Sequence, residues 1–166
     1  RDAPSRPLVR WGSSPVYADP VLFEHENRHH LFVEEVPAGT GRGVISHTEL
    51  HLDGRPAEPP RPVLTADYHL SYPFVFRHDG EIFMVPETSA ARRVELHRAV
   101  DFPRSWALEA ILLVDVDAAD ATIVEHDGLL WMFVAIAPDH GSSLDELHVF
   151  WAERLRGPWR PHAANP

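Results

Sequence analysis

The chain has 166 residues, 44% of them hydrophobic, and a formal net charge of −10 from 15 basic and 25 acidic residues. That apolar fraction is enough for a buried core, and the length alone predicts one domain. The negative charge disfavours a nucleic acid or an anionic membrane surface as partner. No apolar run approaches the roughly 18 residues that span a bilayer, so we expect no membrane insertion.

The sequence contains no cysteine, which excludes disulfides and thiolate metal sites. Secreted and cytosolic proteins can both lack cysteine, so composition leaves the compartment open. Because no signal-like segment precedes the first repeat described below, we expect a cytoplasmic location. The sequence begins at Arg1 and stops at Pro166 just after a turn-rich stretch, so we expect a piece of a longer protein.

A segment of about sixteen residues occurs three times at a spacing of roughly 50 residues, which is typical of repeat architectures such as propeller blades. The copies are residues 19–34, 72–87 and 120–135. Each has two apolar runs joined by a two-residue turn, namely Glu26-Asn27, Asp79-Gly80 and Asp127-Gly128. Such turns favour a β-hairpin. Each copy is therefore predicted to supply the first two strands of one unit.

Further strands are predicted after each hairpin, at residues 43–50, 93–99 and 147–153 and then at 62–66 and 106–116. The stretch 107–116 is also compatible with a helix. Four strands in each unit predict an all-β fold, a β-propeller of four-stranded antiparallel blades. We expect blade 1 at about 16–67, blade 2 at about 70–116 and blade 3 at about 119–160, within one domain that covers 1–166.

Three blades are too few to close a propeller, since closed propellers usually have about four to eight. The predicted strands are apolar on both faces, as blades that stack face to face require. An open array would leave blade faces and strand edges exposed. We therefore expect further blades or an oligomer partner to cover the open ends.

The repeats differ most at the outer ends of their hairpins. Counting outward from the turns predicts that Asp19 faces Glu34, Tyr72 faces Glu87 and Asp120 faces Ala135. The first strand of a propeller blade is innermost, so these residues should ring one mouth of the central channel. Four carboxyl groups, of Asp19, Glu34, Glu87 and Asp120, would then converge there. Such groups suit acid–base chemistry on a glycosidic bond, although acidic residues at strand ends can also be merely solvated.

Directly opposed carboxylates destabilise a sheet, and such a pair is tolerated more easily if one carboxyl group is protonated or if a bound cation or an arginine supplies positive charge. Arg92 and Arg93, which follow Glu87, are the candidates to supply it. Glu34, His69, Ser71, Tyr72 and Arg92 are the predicted substrate-binding residues. Histidines that share one repeat position beside the turn are expected to be structural, and we predict no metal site and no cofactor.

Several motifs resemble known propellers. Tyr17-Ala-Asp-Pro20, the apolar hairpin after it and Leu155-Arg-Gly-Pro-Trp159 resemble the five-bladed propellers of the glycoside hydrolase family 43 and furanosidase superfamily. Four further stretches are similar to the N-terminal propeller domain of plant glucosamine inositolphosphorylceramide transferases and their bacterial relatives: His69–Phe76, Met84–Ser89, Val94–His97 and Ala119–Thr122. The resemblance covers nearly the whole chain and implies a propeller of five blades, of which about three are present.

The resemblance also implies roles for individual residues. In the hydrolases the Asp of the Ala-Asp-Pro motif is the general base, and an Asp that opens the third blade orients it; the matching positions are Asp19 and Asp120. Their general acid is a Glu in a Glu-Gly-Pro motif of the fourth blade, which this sequence lacks. Glu87 or a residue outside this chain would have to replace it. In the transferase-linked family the transfer chemistry is attributed to a separate domain, which implies glycan binding here.

Three functions follow from these observations. The first is a carbohydrate-recognising, glycosidase-like module that binds a carbohydrate or glycoconjugate and is linked to a glycosyltransferase or other group-transfer domain. The second is an inverting glycoside hydrolase in which Asp19 activates water. The third is a non-catalytic scaffold that binds protein through the loops at 37–42 and 138–145.

Overall fold

The computed structural model describes residues 15–138 and 146–166. These residues form three antiparallel sheets, each of four strands in chain order, with one short 3₁₀ helix at Ser89–Ala91 and no α-helix. The predicted all-β fold of four-stranded blades is confirmed. Within the same ranges there is no helix of sufficient length and apolar character to cross a bilayer.

Each sheet takes four consecutive strands of the chain, and we call each sheet a blade. Blade 1 contains β1 (Val16–His25), β2 (Arg28–Val36), β3 (Val44–Leu50) and β4 (Arg61–Leu64). Blade 2 contains β5 (Ser71–His78), β6 (Glu81–Glu87), β7 (Arg93–Asp101) and β8 (Ser105–Val114). Blade 3 contains β9 (Ala118–His126), β10 (Leu129–Ile136), β11 (Leu147–Ala152) and β12 (Arg160–Pro161). The stretch that was also compatible with a helix is mostly β8.

The hairpin turns have the backbone that their sequences predict. Both central residues of each turn have positive φ, with values of 50° and 59° at Glu26 and Asn27 and of 48° and 80° at Asp79 and Gly80. A two-residue loop of this kind matches the right-handed twist of the flanking strands. The turn therefore fixes the register of each hairpin next to it, pairing His25 with Arg28 in blade 1.

The core lies between the blades. One buried cluster joins blades 1 and 2 and consists of Phe32, Ile45, Leu70, Val75, Ile82 and Met84. A second joins blades 2 and 3 and includes Phe83, Val85, Leu96, Ile123, Met132 and Val134. Burying each such side chain contributes about 1.5–3 kcal/mol. Blade 2 is covered on both faces, which explains why β6 is apolar at consecutive positions.

The first strands of the blades lie next to one another. β1 contacts β5, and β5 in turn contacts β9. The first strand of each blade is thus the innermost one, as a propeller requires. Residues at the start of these strands consequently meet at one end of the array, which we call the mouth.

The hairpin pairing predicted at the mouth is wrong by one residue. Glu34 pairs with Ala18, Glu87 with Ser71, and Ala135 with Ala119. The register shifts because each first strand has a β-bulge, in which two residues oppose one on the partner strand. The first bulge residues are Asp19, Tyr72 and Asp120, with φ of 48°, 39° and 55°. The same distortion thus occurs at the same position of all three repeats.

One face of blade 3 is built like the faces that pair the other blades. Phe76, Phe83 and Val85 of blade 2 pack toward blade 3. Their repeat counterparts in blade 3 are Val124, Trp131 and Phe133. Of these, Val124 is 43% exposed and Phe133 is 37% exposed. Blade 3 therefore exposes an apolar face of the kind that pairs blades elsewhere in the array.

Candidate carboxylate site at the propeller mouth

The structure brings the four predicted carboxyl groups together at the mouth. Asp19 and Asp120 are bulge residues of β1 and β9, whereas Glu34 and Glu87 lie at the ends of β2 and β6. The charge of Asp19 acts on Glu34, on Glu87 and on Asp120. The positions at which the repeats differ therefore form one electrostatically coupled cluster.

Tyr72 connects all three blades. Its backbone N–H donates to Asp19 Oδ2 at 3.2 Å, and its hydroxyl lies 2.9 Å from Thr122 Oγ1 of blade 3. A bulky side chain at positive φ is a strained conformation that costs about 1 kcal/mol and persists only where surrounding contacts hold it. The sequence prediction missed Thr122. The repeat could have identified Thr122, because this residue is polar whereas the equivalent residues Val21 and Phe74 are apolar.

Glu87 is the carboxyl group with a pKa close to neutrality. Burial, the charge of Asp120 and a hydrogen bond with Asp120 together raise the pKa of Glu87 to about 7, although the hydrogen bond with the Ser71 hydroxyl opposes the rise. Desolvation and a neighbouring like charge both disfavour the ionised form. Near pH 7 a large fraction of Glu87 is therefore protonated and can donate a hydrogen bond to Asp120.

Asp120 is the carboxylate that accepts the hydrogen bond from protonated Glu87. Loss of hydration and the charge of Asp19 raise the pKa of Asp120, whereas its hydrogen bond with Glu87 lowers it. Two carboxyl groups that interact this strongly titrate as a pair. The mouth thus carries less negative charge near neutral pH than its four acidic residues suggest.

Glu34 is a buried member of the cluster, with 8% of its surface exposed. Burial raises the pKa of Glu34, the charge of Asp19 raises it further, and His69 lowers it. The imidazole Nε2 of His69 lies 3.0 Å from Glu34 Oε1, and its Nδ1 accepts a hydrogen bond from the Gly43 N–H at 3.0 Å. His69 is the basic side chain that the structure places on this carboxylate.

The expectation that Arg92 and Arg93 compensate the carboxylates is wrong. Arg92 has φ of 52° at the end of the 3₁₀ helix, and its guanidinium donates to the Asp115 carbonyl at 3.1 Å. Arg93 is paired with Glu95 at 2.6 Å. Arg93 and Glu95 lie on the same face of β7, because side chains two positions apart on a strand point the same way. A substrate contact by Arg92 stays a prediction.

The remaining predicted groups lie away from the mouth. His25 contacts Arg77 of blade 2 at 2.8 Å, and His78 lies 3.6 Å from Glu125 of blade 3. These repeat histidines thus pack at blade boundaries. In the part of the chain that the structure describes, no three His, Asp or Glu side chains are arranged to hold a metal ion. The loop at 37–42 is largely exposed, and residues 139–145 of the other scaffold loop lie outside the described residues.

The chemistry of the mouth is that of a hydrogen-bond acceptor. Ionised carboxylates accept hydrogen bonds only, and a protonated carboxyl group adds one O–H donor. Ligands that present several hydroxyl or ammonium groups complement such a surface. A protonated Glu87 close to ionised carboxylates also has the properties of a general acid.

Comparison with known families identifies close sequence relatives. The family model described as "Glucosamine inositolphosphorylceramide transferase 1, N-terminal" matches residues 10–166. Two curated proteins named "Glucosamine inositolphosphorylceramide transferase 1", from Arabidopsis thaliana and from Oryza sativa subsp. japonica, are each 35% identical over 150 residues. The alignments cover 90% of this chain and 20% of each relative. The chain thus spans about a fifth of the length of these relatives.

Comparison with solved structures identifies the fold. A thermostable family-43 glycoside hydrolase superposes with a TM-score of 0.67 at 11% identity, covering 90% of this chain and 55% of the hydrolase. An endo-arabinase from Bacteroides thetaiotaomicron gives 0.67 at 14% identity, covering 88% and 60%. An exo-beta-1,3-galactanase from Phanerochaete chrysosporium, solved with beta-1,3-galactotriose, gives 0.67 at 13% identity, covering 89% and 35%. At these identities the likeness concerns the fold alone.

Proposed function

We propose that this chain, which belongs to the glucosamine inositolphosphorylceramide transferase 1 N-terminal family, recognises a carbohydrate or glycoconjugate at the carboxylate-lined mouth of its propeller. The ligand presents hydroxyl or ammonium donors to Asp19, Glu87 and Asp120. In the longer protein the module acts beside a glycosyltransferase or other group-transfer domain. Further blades of that protein, or a second copy of the chain, cover the open blade faces.

One observation carries the proposal: the coupled carboxyl cluster occupies the positions at which the three repeats differ. Shared repeat positions serve packing, as in the two inter-blade clusters. Buried or crowded carboxylates cost stability unless they are compensated, and groups with shifted pKa values cluster at functional sites. The fold is shared with family-43 hydrolases, and the names of the sequence relatives describe a sugar-containing lipid. Both findings support a sugar ligand.

The test is glycan binding with a matched pair of variants. A glycan array identifies a ligand, and calorimetry then compares the wild type with Asp19→Asn and with the control Asp79→Asn. Both substitutions remove one negative charge at a position of positive φ, but Asp79 lies in a hairpin turn. We expect Asp19→Asn to weaken binding at least tenfold and Asp79→Asn to leave it unchanged. Equal effects of the two variants, or no glycan ligand, would contradict the proposal.

A second candidate function is inverting glycoside hydrolysis. The observation that favours it is the pKa of Glu87, about 7, which suits a general acid at neutral pH. In this mechanism Glu87 protonates the leaving oxygen while Asp19 activates a water as general base and Asp120 orients it. The general acid of the resembling hydrolases lies in a motif that this chain lacks, so Glu87 takes its place.

A panel of aryl glycosides separates the two functions. Turnover by the wild type that is lost in Asp19→Ala, with a rate that falls as the pH rises through about 7, supports hydrolysis. Saturable glycan binding without turnover supports the recognition module. Neither binding nor turnover would leave the protein-binding scaffold as the remaining hypothesis.

A further inference from the structure

We propose that residues 68–72, the end of the connection from blade 1 to blade 2 and the start of β5, form a positioning segment that holds three of the four carboxyl groups of the mouth, and that His69 works in it as a neutral imidazole protonated at Nε2. The proposal deepens the proposed function and rests on it for the consequence to ligand binding. Its structural part concerns the free protein and is tested without ligand.

Four of the five residues in the segment each bond to a different acidic side chain. The Tyr68 hydroxyl donates to Glu95 Oε1 at 2.7 Å, and His69 Nε2 lies 3.0 Å from Glu34 Oε1. The Ser71 hydroxyl is hydrogen bonded to Glu87. The Tyr72 N–H donates to Asp19 Oδ2 at 3.2 Å. One short stretch of chain thus contacts carboxylates of blades 1 and 2 in succession.

The fifth residue anchors the segment. Leu70 is 1% exposed and belongs to the cluster between blades 1 and 2. Its N–H also donates to the Gly43 carbonyl at 3.1 Å. Packing of Leu70 therefore fixes the backbone from which the polar side chains on either side project.

The hydrogen bonds of His69 define its tautomer. The Gly43 backbone N–H is a donor, so His69 Nδ1 must accept with its lone pair. The proton of a neutral imidazole is then on Nε2, which faces Glu34 Oε1. An N–H at this nitrogen donates to the carboxylate without a positive charge on the ring. His69 thus orients Glu34 through a hydrogen bond, in the way that hydrogen-bonding neighbours orient metal-ligating side chains.

The approach of the third strand to this segment requires glycine at position 43. A Cβ atom there would lie 2.3 Å from the Leu70 carbonyl oxygen and 2.8 Å from Glu34 Oε1. Neither distance is compatible with a methyl group. Gly43 therefore provides both the donor for His69 and the space in which the His69–Glu34 contact forms.

The roles first predicted for these side chains change accordingly. His69, Ser71 and Tyr72 were expected to contact substrate, but their polar groups engage Glu34, Glu87 and Thr122. They are positioning residues that act through the carboxylates. The ligand is then bound by the hydrogen-bond acceptors of the carboxyl groups, which favours a neutral or cationic sugar over an acidic one.

Nitrogen NMR of the wild-type chain tests the tautomer directly. With ¹⁵N-labelled histidine at pH 7, we expect His69 Nδ1 to show the shift of an unprotonated nitrogen and Nε2 that of a protonated one. Assignment uses the loss of these signals in His69→Gln. A protonated Nδ1, either in the other tautomer or in an imidazolium ring, would overturn the inference. This result does not depend on any ligand.

Two variants test the positioning role. The amide nitrogen of Gln reaches the place of Nε2 and keeps the donor to Glu34, whereas the shorter Asn reproduces only the acceptor for Gly43. Carbon NMR of the labelled carboxyl groups at a series of pH values measures the pKa of Glu34, which faces Asp19 and His69. We expect His69→Asn to raise the pKa of Glu34 further, because the hydrogen bond from His69 that lowers it is lost, and His69→Gln to leave it closer to the wild type.

The control is His51→Asn, at an exposed position at the other end of β3 from Gly43, which should change neither the nitrogen shifts of His69 nor the pKa of Glu34. Equal pKa values of Glu34 in His69→Asn, His69→Gln and the wild type would refute the positioning role. If a glycan ligand has been found, His69→Asn should lower the affinity for it more than His69→Gln does. A shifted Glu34 pKa in a chain that binds no glycan would leave the positioning segment supported and remove the proposed function.

Discussion

At the scale of single residues, the mouth combines groups whose properties depend on one another. Glu87 and Asp120 share a hydrogen bond across blades 2 and 3, and Asp19 influences both. The sequence predicted these residues because they interrupt the repeat. It missed Thr122 and misplaced the contacts of Arg92 and Arg93, because contacts between blades depend on side-chain directions that the repeat pattern does not contain.

Glu87→Gln should remove a pH dependence of stability. The folded chain binds the Glu87 proton more tightly than the unfolded chain, because the pKa of Glu87 rises from its ordinary 4.5 to about 7 on folding. The free energy of unfolding should therefore fall by on the order of 1–3 kcal/mol as the pH rises from about 4.5 to about 7. In Glu87→Gln this fall should be clearly smaller, and the part that remains comes from the raised pKa values of Glu34 and Asp120. Denaturant unfolding at a series of pH values measures it.

The control for this measurement is Glu26→Gln, whose side chain is 81% exposed in a hairpin turn. Its pH dependence should follow that of the wild type. A Glu87→Gln curve parallel to the wild-type curve would show that Glu87 is not the group responsible.

At the scale of elements, the hairpins were predictable and the bulges were not. Turn residues such as Asp79-Gly80 identify a two-residue loop by local chemistry alone, and the register beside the turn follows. The bulge in the first strand of each blade has no such local signal, since Asp19, Tyr72 and Asp120 are not glycines. Contacts from other blades stabilise it, such as the bond of Tyr72 N–H to Asp19. An extra residue then moves every pairing beyond it by one position.

The bond between Tyr72 and Thr122 should couple blades 2 and 3. We expect Tyr72→Phe and Thr122→Val each to lower the free energy of unfolding by about 1 kcal/mol, the usual net value of one hydrogen bond. The double variant should cost less than the sum, because both substitutions remove the same contact. Denaturant unfolding of the four proteins gives the coupling energy, and strict additivity would be inconsistent with this contact.

Gly43→Ala should destabilise the junction of blade 1 with the positioning segment. The added Cβ would overlap the Leu70 carbonyl, which is backbone and cannot swing aside. We expect a loss of about 2 kcal/mol or more, in the range of overpacked cores. Gly54→Ala is the comparison, since no atom lies within 4 Å of its Cβ and only the cost of a positive φ remains. Thermal unfolding of the two variants should therefore differ clearly, and equal midpoints would contradict the packing argument.

At the scale of the whole molecule, the array is open at blade 3. Val124, Trp131 and Phe133 repeat the positions that bury apolar side chains between the other blades. Exposed apolar faces of this kind promote association. We expect the isolated chain to self-associate at micromolar concentrations in sedimentation velocity, and Val124→Lys/Phe133→Lys to reduce this. Leu52→Lys, at a 95% exposed loop position, should have no effect. A monomeric wild type would refute this prediction.

The overall architecture was the part most accessible to sequence, because the repeat period and the hairpin turns are local signals that agree with each other. The repeat pattern counts only the three blades of these 166 residues, and the chain spans about a fifth of the length of its curated relatives. The function of the mouth depends on its ligand.

The central claim is that a carbohydrate binds among the carboxylates of the mouth. Titration of the ¹⁵N-labelled chain with the glycan found on the array, followed by amide chemical shifts, locates the binding site residue by residue. The account predicts that the largest changes cluster at Asp19, Tyr72 and Asp120 and saturate with one affinity, while the turns at Asn27, Gly80 and Gly128 at the other end of the hairpins stay unchanged. Changes centred on those turns, or on the exposed face of blade 3, would contradict it.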